Sequence, residues 1–125
     1  MRITGTLIVF NEVYQFDHKF TNDSIIHFPG KVPLVWNFQT TDPEMVLGSV
    51  SIIRDDSGLT IDGEVDKNSE VLKAIVDKLG LGGFYNRIDK HLGDGVYYII
   101  DEASLQYVSI VPNPVTPNLK FTLED

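Results

Sequence analysis

The segment "VLGSVSIIRDDSGLTIDGEV", residues 46–65, constrains the fold of this chain more than any other stretch. Val46, Gly48, Val50 and Ile52 recur at every second position up to "DDSG", and Leu59, Ile61, Gly63 and Val65 resume the alternation after it. A period of two puts such residues on one face of an extended chain, and Asp and Gly between the runs supply the conformations that reverse it. A β-hairpin is expected. Because a lone hairpin buries too little to be stable, a larger sheet must surround it.

The same period dominates elsewhere. In "RITGTLIVF" (2–10), Ile3, Gly5, Leu7 and Val9 alternate with polar neighbours, and in 13–20 the residues Tyr14, Phe16, His18 and Phe20 share one face. "IIHFPGKVPLVWNF" sets a Pro29-Gly30 turn between two apolar runs, with Pro33 at an edge position because it has no N–H to give a ladder. One segment changes period. In "NSEVLKAIVDKLGLGG" the residues Val71, Leu72, Ile75, Val76 and Leu79 form a helical stripe. Asn68 or Ser69 suits the N-cap, Glu70 the positive end of the dipole, and Gly80 a left-handed C-terminal stop. After this helix, over 69–79, come a strand through "FYNRI", a turn in "HLGDG" and a long strand through "VYYIIDEASLQYVSIV", broken near Glu102–Ser104. A "PNPVTPN" corner and a last strand, "LKFTL", complete the chain. These patterns describe a mainly β protein, a sheet or barrel carrying one amphipathic helix.

Composition narrows the functional classes. The 125 residues suit a single domain, 1–125, and no apolar run approaches the ~20 residues of a membrane helix. "MRITGTLIVFNE" lacks the apolar core of a signal peptide, so no export is expected. With no cysteine, disulfides, thiolate metal sites and a cysteine nucleophile are excluded. Eighteen acidic residues against ten basic ones, with no basic cluster, argue against nucleic acid or an anionic membrane as partner.

Three patches invite a chemical reading that their surroundings do not support. Asp55, Asp56, Asp62 and Glu64 crowd "DDSGLTIDGE", but their spacing is not that of an EF-hand loop, and Asp62 and Glu64 fall on the outward face of a strand. His18, His27 and His91 have no mutual metal-ligand spacing. "LGLGG" (79–83) follows a helix and has no P-loop lysine, so a close backbone approach or an emptied side-chain position explains it better than a phosphate cradle. No cofactor and no metal are expected.

"VPLVWNFQTTDPEMVLGSV", "GLTIDGEV", the helix, "GLGGFYNRI" and "YVSIVPNPVTPN" together resemble, in order and approximate spacing, the prohead (capsid maturation) proteases of phages. The resemblance spans nearly the whole chain. It implies the herpesvirus assemblin-like fold, a small antiparallel β-barrel with one packed helix. It also implies a catalytic histidine after the "VPLVWN" segment, a nucleophilic serine in the glycine-rich strand, and an assisting acid opening the "VSIV" segment.

At those positions this chain has Phe38, Gly82 and Tyr107. Acyl transfer by such a site needs a hydroxyl, an imidazole to take its proton and a group to orient the imidazole. Glycine, phenylalanine and tyrosine supply none of these roles at neutral pH. The resemblance therefore implies a pseudo-protease: a non-catalytic phage or prophage virion or capsid-assembly protein, present in virion or procapsid and assembled in the bacterial cytoplasm. Its expected partners are capsid or scaffold protein and further copies of itself. The rival expectation is an active prohead serine protease that cleaves scaffold and capsid proteins, with Ser49, Ser51, Ser104 or Ser109 paired to His18, His27 or His91. If the resemblance holds, Phe38, Gly82 and Tyr107 should meet in one neighbourhood, with the 69–79 helix ending beside it.

Overall fold

A computed structural model describes residues 1–14, 18–93, 95–112 and 119–125. Among them the chain order is β1 (Arg2–Val9), β2 (Val13–Tyr14), β3 (His18–His27), β4 (Lys31–Trp36), β5 (Val46–Asp55), β6 (Gly58–Val65), α1 (Ser69–Ala74), β7 (Leu79–Leu92), β8 (Tyr98–Pro112) and β9 (Phe121–Glu124). The protein is mainly β with one short helix. No helix among the described residues is long and apolar enough to cross a membrane.

The 46–65 hairpin forms where its turn chemistry places it. β5 and β6 pair antiparallel from Gly48↔Val65 to Asp55↔Gly58, leaving Asp56 and Ser57 as the loop. The Asp55 carboxylate accepts hydrogen bonds from the N–H groups of Ser57 (2.7 Å) and Gly58 (3.1 Å), an Asx turn that fixes the reversal. β1 lies against the other edge of β6, with Val9 opposite Gly58. There a Cβ on Gly58 would stand 1.9 Å from the Ile8 carbonyl oxygen, and the residue's φ is +151°.

β8 organises the remainder. β7 runs antiparallel along it from Leu79↔Pro112 to Leu92↔Tyr98, while β3 and β4 both run parallel to it on the opposite edge. The ladders follow the order β2-β3-β8-β4-β5-β6-β1-β9, with β7 on β8. Among the described residues no ladder joins β7 to β1 or β9. The gap is crossed by the Leu81 N–H donating to the Leu119 carbonyl (2.9 Å) and the Thr6 N–H donating to that of Lys120 (3.1 Å). The enclosed core includes Ile3, Leu34, Leu59, Ile61, Leu105 and Ile110, each at most 1% exposed. Burial of each such side chain contributes roughly 1.5–3 kcal/mol.

Several local expectations are corrected. In β1 a bulge between Thr6 and Ile8 reverses the alternation, so Leu7, Ile8 and Phe10 are buried while Val9 is only half-buried. Phe28, Pro29 and Gly30 do not reverse the chain: β8 advances four residues from Ser104 to Val108 while its partner advances seven from His27 to Leu34. They interrupt a strand that continues in the same direction, and the ladder from β4 to β8 begins only after Pro33. β8 itself is a continuous strand through Glu102–Ser104; the extra residues beside that stretch lie in β3 and between Asn86 and Asp89 of β7, with single bulged residues of β8 at Asp101 and Gln106 on either side.

The helix is shorter than the 69–79 span. α1 ends at Ala74, a 3₁₀ turn covers Val76–Lys78, and Leu79 already belongs to β7. Ile75 and Val76 are β-branched and disfavour helix, so local preference and the pull of Leu79 into the core agree. Leu72 is buried, whereas Val71 is 63% exposed and contributes nothing to the expected stripe. Asn68 stands at the N-cap without a capping side-chain bond, and Gly80 is a buried strand residue, not a helix stop. Of the aromatic face, Phe20 is buried and His18 stacks on Tyr98 at 5.8 Å. Phe16, the Tyr14 side chain and residues 113–118 of the proline-rich corner lie outside the described residues.

Gly58→Ala is expected to lower stability by about 2–3 kcal/mol in urea denaturation, since both φ and the Ile8 carbonyl oppose a side chain there. At Gly30 an added Cβ meets nothing within 4 Å, so Gly30→Ala should stay within about 0.5 kcal/mol of the parent. Equal losses at both would show that the β1–β6 contact is not the cause.

Candidate functional site

The chain leaves β4 through a turn from Trp36 to Gln39 whose two central residues, Asn37 (φ +47°) and Phe38 (φ +58°), are both left-handed. Positive φ at both centres is the mark of a type I′ turn, closed here by the Gln39 N–H on the Trp36 carbonyl at 3.0 Å. Asn tolerates this conformation, but a bulky residue such as Phe adopts it only when other contacts compensate. Those contacts come from β8. Asn37 N–H donates to the Ile110 carbonyl (2.8 Å), and Phe38 N–H donates to Ser109 Oγ (2.8 Å). Ser109 is fully buried and passes its own proton toward the Ile110 carbonyl at 3.3 Å. It clamps the turn.

The turn delivers the Phe38 ring over β7. A Cβ built on Gly82 would lie 2.9 Å from Phe38 Cζ, so the ring tip fills the space a side chain at 82 would need. Gly82 pairs with Ser109, and Phe84, two residues on and on the same face, pairs with Tyr107. Phe84 and Tyr107 stack at 5.0 Å with planes 5° apart, and Phe38 meets Tyr107 at 6.3 Å and 59°. Such offset and tilted ring pairs add about 0.5–1.5 kcal/mol beyond area burial. Phe38, Gly82 and Tyr107 thus share one neighbourhood, and β7 enters it directly from the helical segment. Phe38 and Phe84 remain 40% and 44% exposed, so the cluster is a surface.

Along the same face of β8 lies a polar cleft of about 400 Å³ lined by His27, Arg87, Asp89, Glu102 and Ser104. The ladders explain the gathering: Ser104 stands opposite His27 on one edge and Asn86 on the other. Between Asn86 and Asp89 the strand β7 bulges, with Arg87 at φ +51°, which re-aims the intervening side chains. His27 Nε2 is joined to Glu102 Oε2.

Phe84 was not visible as a functional candidate in the sequence, and of the cleft residues only His27 and Ser104 were, as members of the rival serine and histidine sets. Phe84 carries one signal, its place two residues after Gly82 on the same strand face. The gathering of the cleft carries none without the register.

The other candidate residues are dispersed. His18 Nε2 faces Lys90 Nζ at 3.0 Å, and His91 Nδ1 faces Asp101 Oδ2 at 2.8 Å. Ser49 and Ser51 sit in β5 opposite Glu64 and Asp62. Among the described residues no serine is hydrogen-bonded to a histidine, and no group of three or more His, Asp or Glu side chains is arranged to hold a metal. Asp62 pairs with Arg2 at 2.8 Å, and the guanidinium's hydrogen bond holds that carboxyl below its ordinary range. Desolvation pushes the Tyr107 hydroxyl above the usual 10.0.

No protein-family model matches the chain, and no curated protein matches it.

Two outcomes follow. Gly82→Ser is expected to cost about 1–3 kcal/mol by displacing the Phe38 ring, and in a Phe38→Ala background the same change should cost at least about 0.5 kcal/mol less. Additive losses would show that the ring does not occupy that space. For Tyr107, the neutral form is favoured by folding, so its contribution is complete below pH 10.0 and is lost as pH rises through the higher folded value. Tyr107→Phe should therefore remove absorbance change at 295 nm from the portion of the alkaline titration above the ordinary tyrosine range.

Proposed function

We propose that this chain is a non-catalytic capsid-assembly or virion protein of a phage or prophage, built on a prohead-protease-like scaffold and acting by contact. One observation carries the reading. The positions at which the resemblance expects histidine, serine and an acid converge, yet they hold Phe38, Gly82 and Tyr107, with the Phe38 ring in the space of the missing side chain. A neighbourhood closed by aromatic packing has no nucleophile to activate and no base to activate it. It offers exposed apolar area, the usual currency of protein association. Capsid subunits, scaffold protein and further copies of the chain are the proposed partners, with no cofactor, in virion or procapsid.

The polar cleft favours a second reading, an active serine protease, because Ser104, His27 and Glu102 line it together. Ser104, however, lies within a strand paired along both edges. Among the described residues no hydrogen bond joins the Ser104 hydroxyl to His27, whose Nε2 is engaged by Glu102, so the serine has no base in place to take its proton.

Incubation with a fluorophosphonate probe, and separately with candidate capsid and scaffold proteins, should give neither labelled serine nor cleavage, while the protein co-sediments with proheads. Labelling of Ser104 that disappears in His27→Ala would establish the second reading in place of the first.

A further inference from the structure

The outer face of β8 carries two surfaces in series. At one end Phe38, Phe84 and Tyr107 form the exposed aromatic cluster; at the other, about 10 Å along the strand at ~3.3 Å per residue from Tyr107 to Ser104, lies the charged cleft. Both are open to solvent and both are floored by the same strand, with β7 as a common wall.

We infer that this trough receives an extended polypeptide segment of a partner, one that carries an aromatic or large aliphatic side chain and, two to four residues away, a lysine or arginine. The inference rests on the contact reading and specifies its partner. Spacing sets the two anchors, since extended residues two to four apart span about 7–13 Å. Charge sets the second. Glu102 is already engaged by His27, whereas the Asp89 carboxylate has no ion pair among the described residues, and the chain as a whole carries −8.

Among the described residues Arg87 and Asp89 have no ion pair, and His27 already engages Glu102. A guest ammonium or guanidinium completes Asp89, and the carbonyl groups of an extended guest satisfy the Arg87 donors. An acidic guest meets Asp89 and Glu102 as like charges. Strand addition along β7 is a poorer alternative, because the bulge at Arg87 and the charges of Arg87, Asp89 and Lys90 protect that edge.

The test is selection of a yeast-displayed random octapeptide library on the full chain, with Phe84→Ser, Asp89→Lys and the remote surface variant Ile53→Ser as comparisons, each checked for folding by circular dichroism. Enriched peptides should pair an aromatic or large aliphatic residue with Lys or Arg two to four positions away. Their binding should fall about tenfold or more in Phe84→Ser and in Asp89→Lys, and hold in Ile53→Ser. On Asp89→Lys, exchanging the basic residue of the peptide for Glu should restore binding. No enrichment, an acidic consensus, or equal binding to all variants overturns the inference. Any of these with a silent serine probe leaves the contact protein standing without this partner, whereas a labelled serine removes the contact reading itself.

Discussion

Everything in this molecule depends on β8 being paired along both edges. Its partners on one side are β3 and then β4, two segments of what is in effect a single interrupted parallel strand, and on the other side β7 along almost its whole length. A strand so placed cannot move without breaking three ladders. Nearly all of its residues are held in at least one ladder, so any role it has beyond support falls mainly to the side chains that point outward. Ser109, Tyr107, Ser104 and Glu102 are those side chains: Ser109 meets the turn after β4, Tyr107 meets Phe84 of β7, and Ser104 and Glu102 lie beside His27 of β3.

The Ser109 clamp shows how such a strand positions a loop. Left alone, the Asn37–Phe38 turn would carry an unfavourable backbone at Phe38, of order 1–3 kcal/mol. Two hydrogen bonds to β8 oppose that cost, each contributing about 0.5–1.5 kcal/mol, and the buried hydroxyl that accepts one of them is itself satisfied by the Ile110 carbonyl. The irregularities of the β7–β8 ladder act in the opposite sense. The extra residue between Asn86 and Asp89 lies in β7, where it re-aims the side chains at the polar cleft and breaks the regularity of an otherwise long exposed edge, while Gln106 and Asp101 are extra residues of β8.

What could be read from the sequence follows how local the determining physics is. The 46–65 hairpin was legible because an Asx turn and a period of two act within a few residues. The inward phase of β1 was not, since the bulge at Leu7 is imposed by the register against β6. The Pro29-Gly30 break was visible as a break, but whether the chain reverses there depends on β8, which lies some seventy residues away in sequence. The helix was overextended because Val76 and Leu79 fit a helical stripe and a strand entry equally well, and the core chose the strand. At the site, the meeting of Phe38, Gly82 and Tyr107 was reachable through the resemblance, whose order of segments encodes a topology. Ser109 looked like an outward strand hydroxyl, and nothing in its neighbours announces that a turn from β4 will fold over it.

Phe38 bears most directly on the proposed role. A type I′ turn at this point would form at least cost with Asn followed by Gly, and the chain already supplies the Asn. Placing phenylalanine second adds backbone strain, and its ring is not wholly repaid by burial because 40% of it faces solvent. Folding alone therefore gives a weak reason for this residue. A partner that covers the exposed ring supplies a stronger one, since burying the remaining apolar area would add to binding at roughly 25 cal/mol per Å² while the strain is already met in the free protein. The same reasoning applies to Phe84, which stacks on Tyr107 yet leaves 44% of its surface in water. A ring held rigid by stacking loses little freedom on association, so the two aromatics are pre-organised for contact in a way that flexible exposed side chains are not.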